Sequence, residues 1–403
     1  MIAALFLLAA AALQASAPAP EARARAERYQ QLHEQTDNAT LLWLAAEAYA
    51  EAGDASEAIE TLKQMAGRRL GFIVTPESPL ARLLGNAEFD ALASRLAAEF
   101  HAVRRARQAA LIRLPEFIPE GIAADPGSGR TFIGDMANKR IWVLGASARP
   151  RPFAFTGKLR PLGIKADQKR GLLWVAASTS FWKDAVHDSA LLTFDLKSGK
   201  AGRSFRSAEL KSINDVAIAP NGDLYATDSL GGAVFRLRSG ADQLERVTEA
   251  GKMGYPNGIA VSGDGRSVYV AQGIALRRLD VASGELKPVP HPPSLALLAI
   301  DGLYWRDGSL LAIQNGGNTG RVLRLLLSED GSTVTSFETL EAGNPSFDLP
   351  TTGTLVGGTK LRFVANSQLR RLGDDGRITP GTPLKPIVLL DIALPGGKLK
   401  VRS

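Results

Sequence analysis

Six glycine-led segments of similar character follow one another along the last three quarters of this chain, and their spacing constrains the fold more than any single motif. In order they read PEGIAAD (119–125), PLGIKAD (161–167), INDVAIA (213–219), PNGIAVS (256–262), IDGLYWR (300–306) and PTTGTLV (350–356). The key positions are Gly121, Gly163, Asp215 in place of a glycine, Gly258, Gly302 and Gly353, at intervals of 42, 52, 43, 44 and 51 residues. Most copies run through a turn into an apolar strand, as in APNGDLYATD and SGDGRSVYVAQ. Asn221-Gly222, Asp264-Gly265, Asp307-Gly308 and Asp375-Gly376 supply the positive φ of tight hairpins. A repeat of this length, built of short strands and turns, predicts a mainly β fold: a six-bladed β-propeller over 111–403. LIRLPEF (111–117) is available to add the last strand. The longer second and fifth intervals hold insertions, one around Phe181, Trp182 and His187 and one around 331–343.

The residues before the propeller read differently. Residues 22–110 are rich in Ala, Leu, Glu, Gln and Arg with apolar side chains every three or four positions, the pattern of helices. Within 41–65, Tyr49, Gly53, Ala58 and Leu62 fall where a tetratricopeptide-like hairpin needs an aromatic, a turn and packing residues. One hairpin and one further helix are too few for a free-standing solenoid, so this segment is expected to pack on the propeller. It serves either as a stabilising cap or as a surface for a protein partner. The chain begins with an apolar run at 2–13 and a small-residue cleavage site at Ala15-Ser16-Ala17, which predicts a signal peptide over 1–17 and a periplasmic or secreted protein. An uncleaved anchor is the alternative. No other stretch is apolar enough to span a bilayer.

Bulk chemistry narrows the function classes. The net charge of +7 is scattered along the chain except at Arg104, Arg105 and Arg107, without the concentrated stripe and aromatic platforms of a nucleic-acid reader. There are no cysteines, which excludes disulfides and thiolate metal sites, and the four histidines (His33, His101, His187, His291) are not paired at ligand spacing.

A propeller brings equivalent positions of every copy together around one axis. The residue before each key position is Glu120, Leu162, Asn214, Asn257, Asp301 and Thr352. It precedes the body of the innermost strand, so its side chain is expected to face the channel at one end. Glu120, Asn214, Asn257 and Asp301 would then offer only oxygen donors and a charge of −2, a set suited to a hard cation, calcium better than magnesium. The competing reading is that these side chains satisfy turn amides. Asp135, Ser178, Asp228, Gln272, Asn315 and Asn366 fall at the ends of second strands on the same face. Of these, Asp135, Asp228 and Asn315 are candidates to bind substrate hydroxyls or a carbonyl, with capping of loops as the alternative.

These motifs resemble those of the superfamily of gluconolactonase, regucalcin (senescence marker protein) and paraoxonase. The resemblance is carried by PEGIAAD, INDVAIAPNGDLYATD, PNGIAVSGDGRSVYV and IDGLYW and covers the propeller. It implies that Glu120, Asn214, Asn257 and Asp301 hold a divalent cation, usually Ca²⁺, on the axis. It further implies a hydrolase of lactones or related esters, with the ion polarising the carbonyl and Asp301 activating water. Two departures stand out: Ser212 occupies the place of an arginine in the sugar lactonases, and VAASTS (175–180) lacks the histidine of the paraoxonases. The alternative function is a non-catalytic propeller, stabilised by a metal, that binds a ligand or a protein partner.

Overall fold

The computed structural model describes residues 19–145, 149–179, 188–317, 320–373 and 375–394. The segment 1–17 and the residues Phe181, Trp182 and His187 lie outside them. Six four-stranded antiparallel sheets make up residues 107–393. Their innermost strands are Pro119–Ala124, Arg160–Asp167, Ile213–Ile218, Pro256–Val261, Ile300–Arg306 and Gly353–Val356. Each packs on the next and the sixth packs on the first, which makes a ring. Blade 6 is completed by the N-terminal strand Arg107–Ile112, which pairs antiparallel with Ile387–Ala393, Ile112 opposite Ile387. The closing strand thus begins four residues ahead of the expected boundary at 111 and includes only the start of LIRLPEF.

The ring is held by six separate apolar cores, one at each blade interface. Ile164 and Phe132 meet between blades 1 and 2, Trp174 and Phe235 between 2 and 3, and Tyr225 and Val268 between 3 and 4. Tyr269 and Leu323 join blades 4 and 5, Leu311 and Phe363 join 5 and 6, and Val364 and Ile133 close the circle. Strand alternation feeds two cores at once: Tyr225 faces blade 4 while Ala226 faces blade 2. Both faces of each sheet are therefore buried, which is why the strands read as nearly continuous apolar runs.

Backbone approach explains the repeated glycine. A Cβ at Gly121 would lie 1.7 Å from the carbonyl oxygen of Leu162 in the next blade, and one at Gly258 would lie 2.6 Å from that of Asp301. Only a residue without a side chain fits at those places. In the turns, Asp307 (φ 47°) and Gly308 (φ 73°) adopt the paired left-handed conformation that a two-residue hairpin requires.

Four helices precede the ring: α1 (Ala19–Thr36), α2 (Thr40–Ala52), α3 (Ala55–Lys63) and α4 (Ala87–Glu99). Helices α2 and α3 form a hairpin that turns at Gly53, whose φ of 87° lets its N–H cap the end of α2. Their shared core around Trp43, Leu62 and Phe89 continues into Ile274, Ala296 and Leu298 of the propeller. Phe72 stacks on Trp43 at 4.9 Å and fits against Gly317, whose carbonyl accepts from the Ile73 N–H at 3.1 Å. Buried Arg321 fastens the joint, donating to Leu70 O at 3.1 Å, to Ala296 O at 2.7 Å and to Gln314. Gly317 lies two residues beyond Asn315, so the helices dock on the face of the ring at which the innermost strands begin. None of the described helices is long and apolar enough to cross a membrane.

Candidate metal centre

Five of the six innermost strands carry a β-bulge where the motif sits. Register with the second strand slips between Pro119 and Ile122, Pro161 and Ile164, Ile213 and Val216, Pro256 and Ile259, and Ile300 and Gly302. The residues freed from pairing are Glu120, Leu162, Asn214, Asn257 and Asp301, with the following residue in four of the five. A bulge re-aims a side chain away from the sheet faces. The sequence motif, a polar residue followed by glycine, is the chemical form of that distortion.

Asp301 is the best-defined member of the set. Its Oδ1 accepts from Asn257 Nδ2 at 2.7 Å and its Oδ2 from Asn315 Nδ2 at 2.8 Å. Burial raises its pKa to about 6, with the Asp215 charge adding to the effect and the two amide donors opposing it. Glu120 is also buried, and its pKa is pushed well above the usual carboxylate range by burial first and then by Asp301 and Asp215, against a favourable contact from Thr351. Asn214 donates from Nδ2 to Ser229 Oγ at 2.9 Å, and Ser229 Oγ donates to Pro256 O at 2.7 Å, beside Asn257. The four expected residues are thereby linked: Asn257 touches Asp301 directly, Glu120 lies within electrostatic reach of Asp301, and Asn214 joins through Ser229.

Does this set fit a cation? Glu120 Oε2 is buried with no hydrogen-bond partner, and so is Thr351 Oγ1, whose contact with Glu120 falls short of good hydrogen-bond geometry. An unsatisfied buried carboxylate oxygen costs several kcal/mol, on the order of 1–3 or more. Asn214 and Asn257 turn their amide nitrogens to protein acceptors, which leaves each Oδ1 without a donor among the hydrogen bonds of the described residues. Repelling carboxylates, an orphaned oxygen and free amide oxygens suit a hard divalent ion. Among the described residues no three His, Cys, Asp or Glu side chains form a ligand cluster. The donor set here rests on two carboxylates and two amides instead.

The second-strand ends behave differently: at two of the expected substrate residues the protein itself engages the carboxylate. Asp228 is fully buried and accepts from the N–H groups of Lys211 (2.9 Å), Ser212 (2.7 Å) and Gly231 (2.9 Å). Asp135 is also fully buried and accepts from the Asn138 N–H (3.1 Å), Asn138 Nδ2 (3.0 Å) and Trp142 Nε1 (3.0 Å). Both carboxylates are occupied in fastening loops and have no free edge for a ligand. Asn366 caps likewise, between Pro386 O and the Val388 N–H. Asn315 alone of the three candidates stands at the site, through Asp301. Ser212, at the arginine position, is buried.

Three residues that the motif reading passed over belong to this region. Asp215 adds a third carboxylate, paired with Lys165 at 3.2 Å. Half-buried Tyr255 has a left-handed backbone (φ 51°) two residues before Asn257, and its hydroxyl pKa is raised by burial and by the charges of Asp301 and Glu120. Tyr304 accepts from the Gly353 N–H at 2.5 Å. Asp215 was legible as the one exception to the glycine rule; the tyrosines carried no signal of their own.

Residues 118–289 match the family model described as SMP-30/Gluconolactonase/LRE-like region. The match spans blades 1 to 4, including Glu120, Asn214 and Asn257, and stops short of Asp301. None of the curated proteins matches the chain. Among solved structures, a structural-genomics target provisionally named a gluconolactonase is 18% identical, covering 72% of this chain and 93% of its own, with a TM-score of 0.50. A gluconolactonase from Xanthomonas campestris (18% identical, 73% and 91% covered, TM-score 0.48) is similar as well. So is regucalcin, a calcium-binding protein from Agrobacterium tumefaciens (17% identical, 71% and 93% covered, TM-score 0.48). At these identities the likeness speaks for the fold, and the resemblance to the gluconolactonase and regucalcin family rests on the family match.

Proposed function

We propose that this chain is an exported, calcium-dependent hydrolase of lactones or related esters, working at the bulged ends of its innermost strands. The observation that carries the reading is the buried carboxylate pair Glu120 and Asp301, with Glu120 Oε2 left unpartnered, in a chain whose residues 118–289 match the gluconolactonase-like family model. Glu120, Asn214, Asn257 and Asp301 are the residues that would hold the ion. When bound, a divalent cation supplies Lewis-acid polarisation of a carbonyl. Asp301 acts as the base that takes a proton from water, its carboxylate standing beside the place the ion would occupy. Asn257 and Asn315 each hold one of its oxygens and so fix the carboxylate plane. Tyr255, kept protonated by burial first and then by its carboxylate neighbours, offers a hydroxyl donor beside them. Export rests on the N-terminal sequence alone, the apolar run at 2–13 and the cleavage site before Pro18.

The test combines metal analysis of dialysed protein with a panel of lactones and esters, with and without chelator. Bound calcium, chelator-sensitive turnover and a folded, inactive Asp301→Ala variant are expected. Calcium binding without turnover of any lactone or ester would replace this reading with that of a non-catalytic binding propeller. Protein that binds no divalent ion at all would end it.

A further inference from the structure

Beneath the cradle the axis carries a second layer of chemistry. Three positions after each cradle residue stand Ala123, Lys165, Ala217, Ala260, Tyr304 and Leu355. Blades 2 and 5 are opposite one another in a six-membered ring, yet Lys165 Nζ of blade 2 lies 5.2 Å from the centroid of the Tyr304 ring of blade 5. The lysine and the tyrosine therefore meet across the axis. Its ammonium also sits 3.2 Å from Asp215 Oδ1 of blade 3. Asp215 is held in turn by the Val216 N–H at 2.8 Å and, more loosely, by the Ile259 N–H at 3.4 Å. Gly163 makes the room, since a Cβ there would lie 2.4 Å from the same oxygen. Tyr304 is anchored at its far end by blade 6 through Gly353.

Resting on the cation reading above, we infer that Lys165 is a built-in cation of the channel that lowers the affinity of the cradle for its divalent ion. Glu120, Asp215 and Asp301 interact electrostatically with one another. Three carboxylates beside one site would draw a divalent ion tightly and leave a residual negative charge. The Lys165 ammonium, mostly enclosed at 22% side-chain exposure, brings the total to −2, the charge that one divalent ion neutralises. A unit charge several ångströms from a divalent ion at an effective dielectric of about 20–40 changes binding by roughly tenfold or more. Lys165 touches neither substrate nor ion in this account and acts through the field it sets.

The experiment is titration of the chelator-stripped full chain with Ca²⁺, and separately Mg²⁺, by calorimetry for wild type and four variants. Lys165→Met should bind calcium about tenfold tighter than wild type, and Asp215→Asn about tenfold weaker. The double variant should return close to wild type, and Lys165→Arg should stay there. Thermal melts without metal provide the control for a purely structural role: Lys165→Met should lose stability when stripped and regain more than wild type does when calcium is added. Equal affinities across the series, with only the melting temperatures changed, would overturn the inference while leaving the cradle intact. A wild-type protein that binds neither ion would bring down both. If Lys165→Met does not fold, unchanged affinity in Asp215→Asn is sufficient to refute it.

Discussion

A methyl group placed on Gly121 would meet the carbonyl oxygen of Leu162 at about half the van der Waals distance, and the obstacle is backbone that cannot swing away. Gly121→Ala is therefore expected to cost about 3 kcal/mol or more, or to prevent folding. Gly145→Ala, which meets nothing within 4 Å, should stay within about 0.5 kcal/mol. Urea unfolding of both variants decides this. The cradle makes a second prediction. The folded-state pKa values of Glu120 and Asp301 are raised, to about 6 for Asp301, above ordinary values of roughly 4. Stability from these groups is present below pH 4 and is lost as pH rises through the folded values, because the native state then gives up protons it holds more tightly than the unfolded chain. Melting temperature in chelator should fall between pH 4 and pH 7; calcium, or Glu120→Gln, should flatten that slope. The cradle was legible because three of the five bulges write themselves as a polar residue before glycine, and a fourth as Asn214 before Asp215. The loop contacts of Asp135 and Asp228 were not legible, because a carboxylate at a strand end looks the same whether it faces a ligand or caps a loop. Only the N–H groups around it decide, and those come from distant residues such as Ser212 and Trp142.

Helix α2 shows how an element can carry a titrating group away from the site. Glu47 has its carboxyl raised to about 7 by burial, opposed by the hydroxyl of Ser78 that donates to it at 2.9 Å. The side chain is only partly covered, so the penalty for charging it is discounted to about 1–2 kcal/mol. Its contribution is fully present below about pH 4.5 and is lost as pH rises toward 7. Glu47→Gln keeps the acceptor for Ser78 and removes the charge, so it should raise the melting temperature above pH 7 and change little at pH 5. An unchanged melting temperature at pH 8 would show that Glu47 is solvated. The helical pattern was legible from spacing, whereas its docking place was not. Phe72 against Gly317 and Arg321 under Leu70 are single contacts with no periodicity to announce them.

At the scale of the whole molecule, the six-fold count followed from the intervals between glycines, whereas the sequence left open which end of the chain closes the ring. What sequence could not supply was the meeting of opposite blades at Lys165 and Tyr304, since nothing in either repeat refers to the other. The closing strand carries the last prediction. A chain that starts at residue 113 leaves Ile387–Ala393 with a bare edge and opens the core shared by Ile112, Ile133 and Leu389. It should aggregate or melt far below the full chain, whereas supplying residues 100–117 as a separate peptide should restore part of the loss; no response to the peptide would argue against closure as the source of stability.

Because Arg107–Ile112 waits for Ile387–Ala393, all the strands between them must leave the ribosome before the circle can shut. Until then every newly made blade borders a missing neighbour, and the molecule is exposed to misassembly and in need of protection for as long as its synthesis lasts.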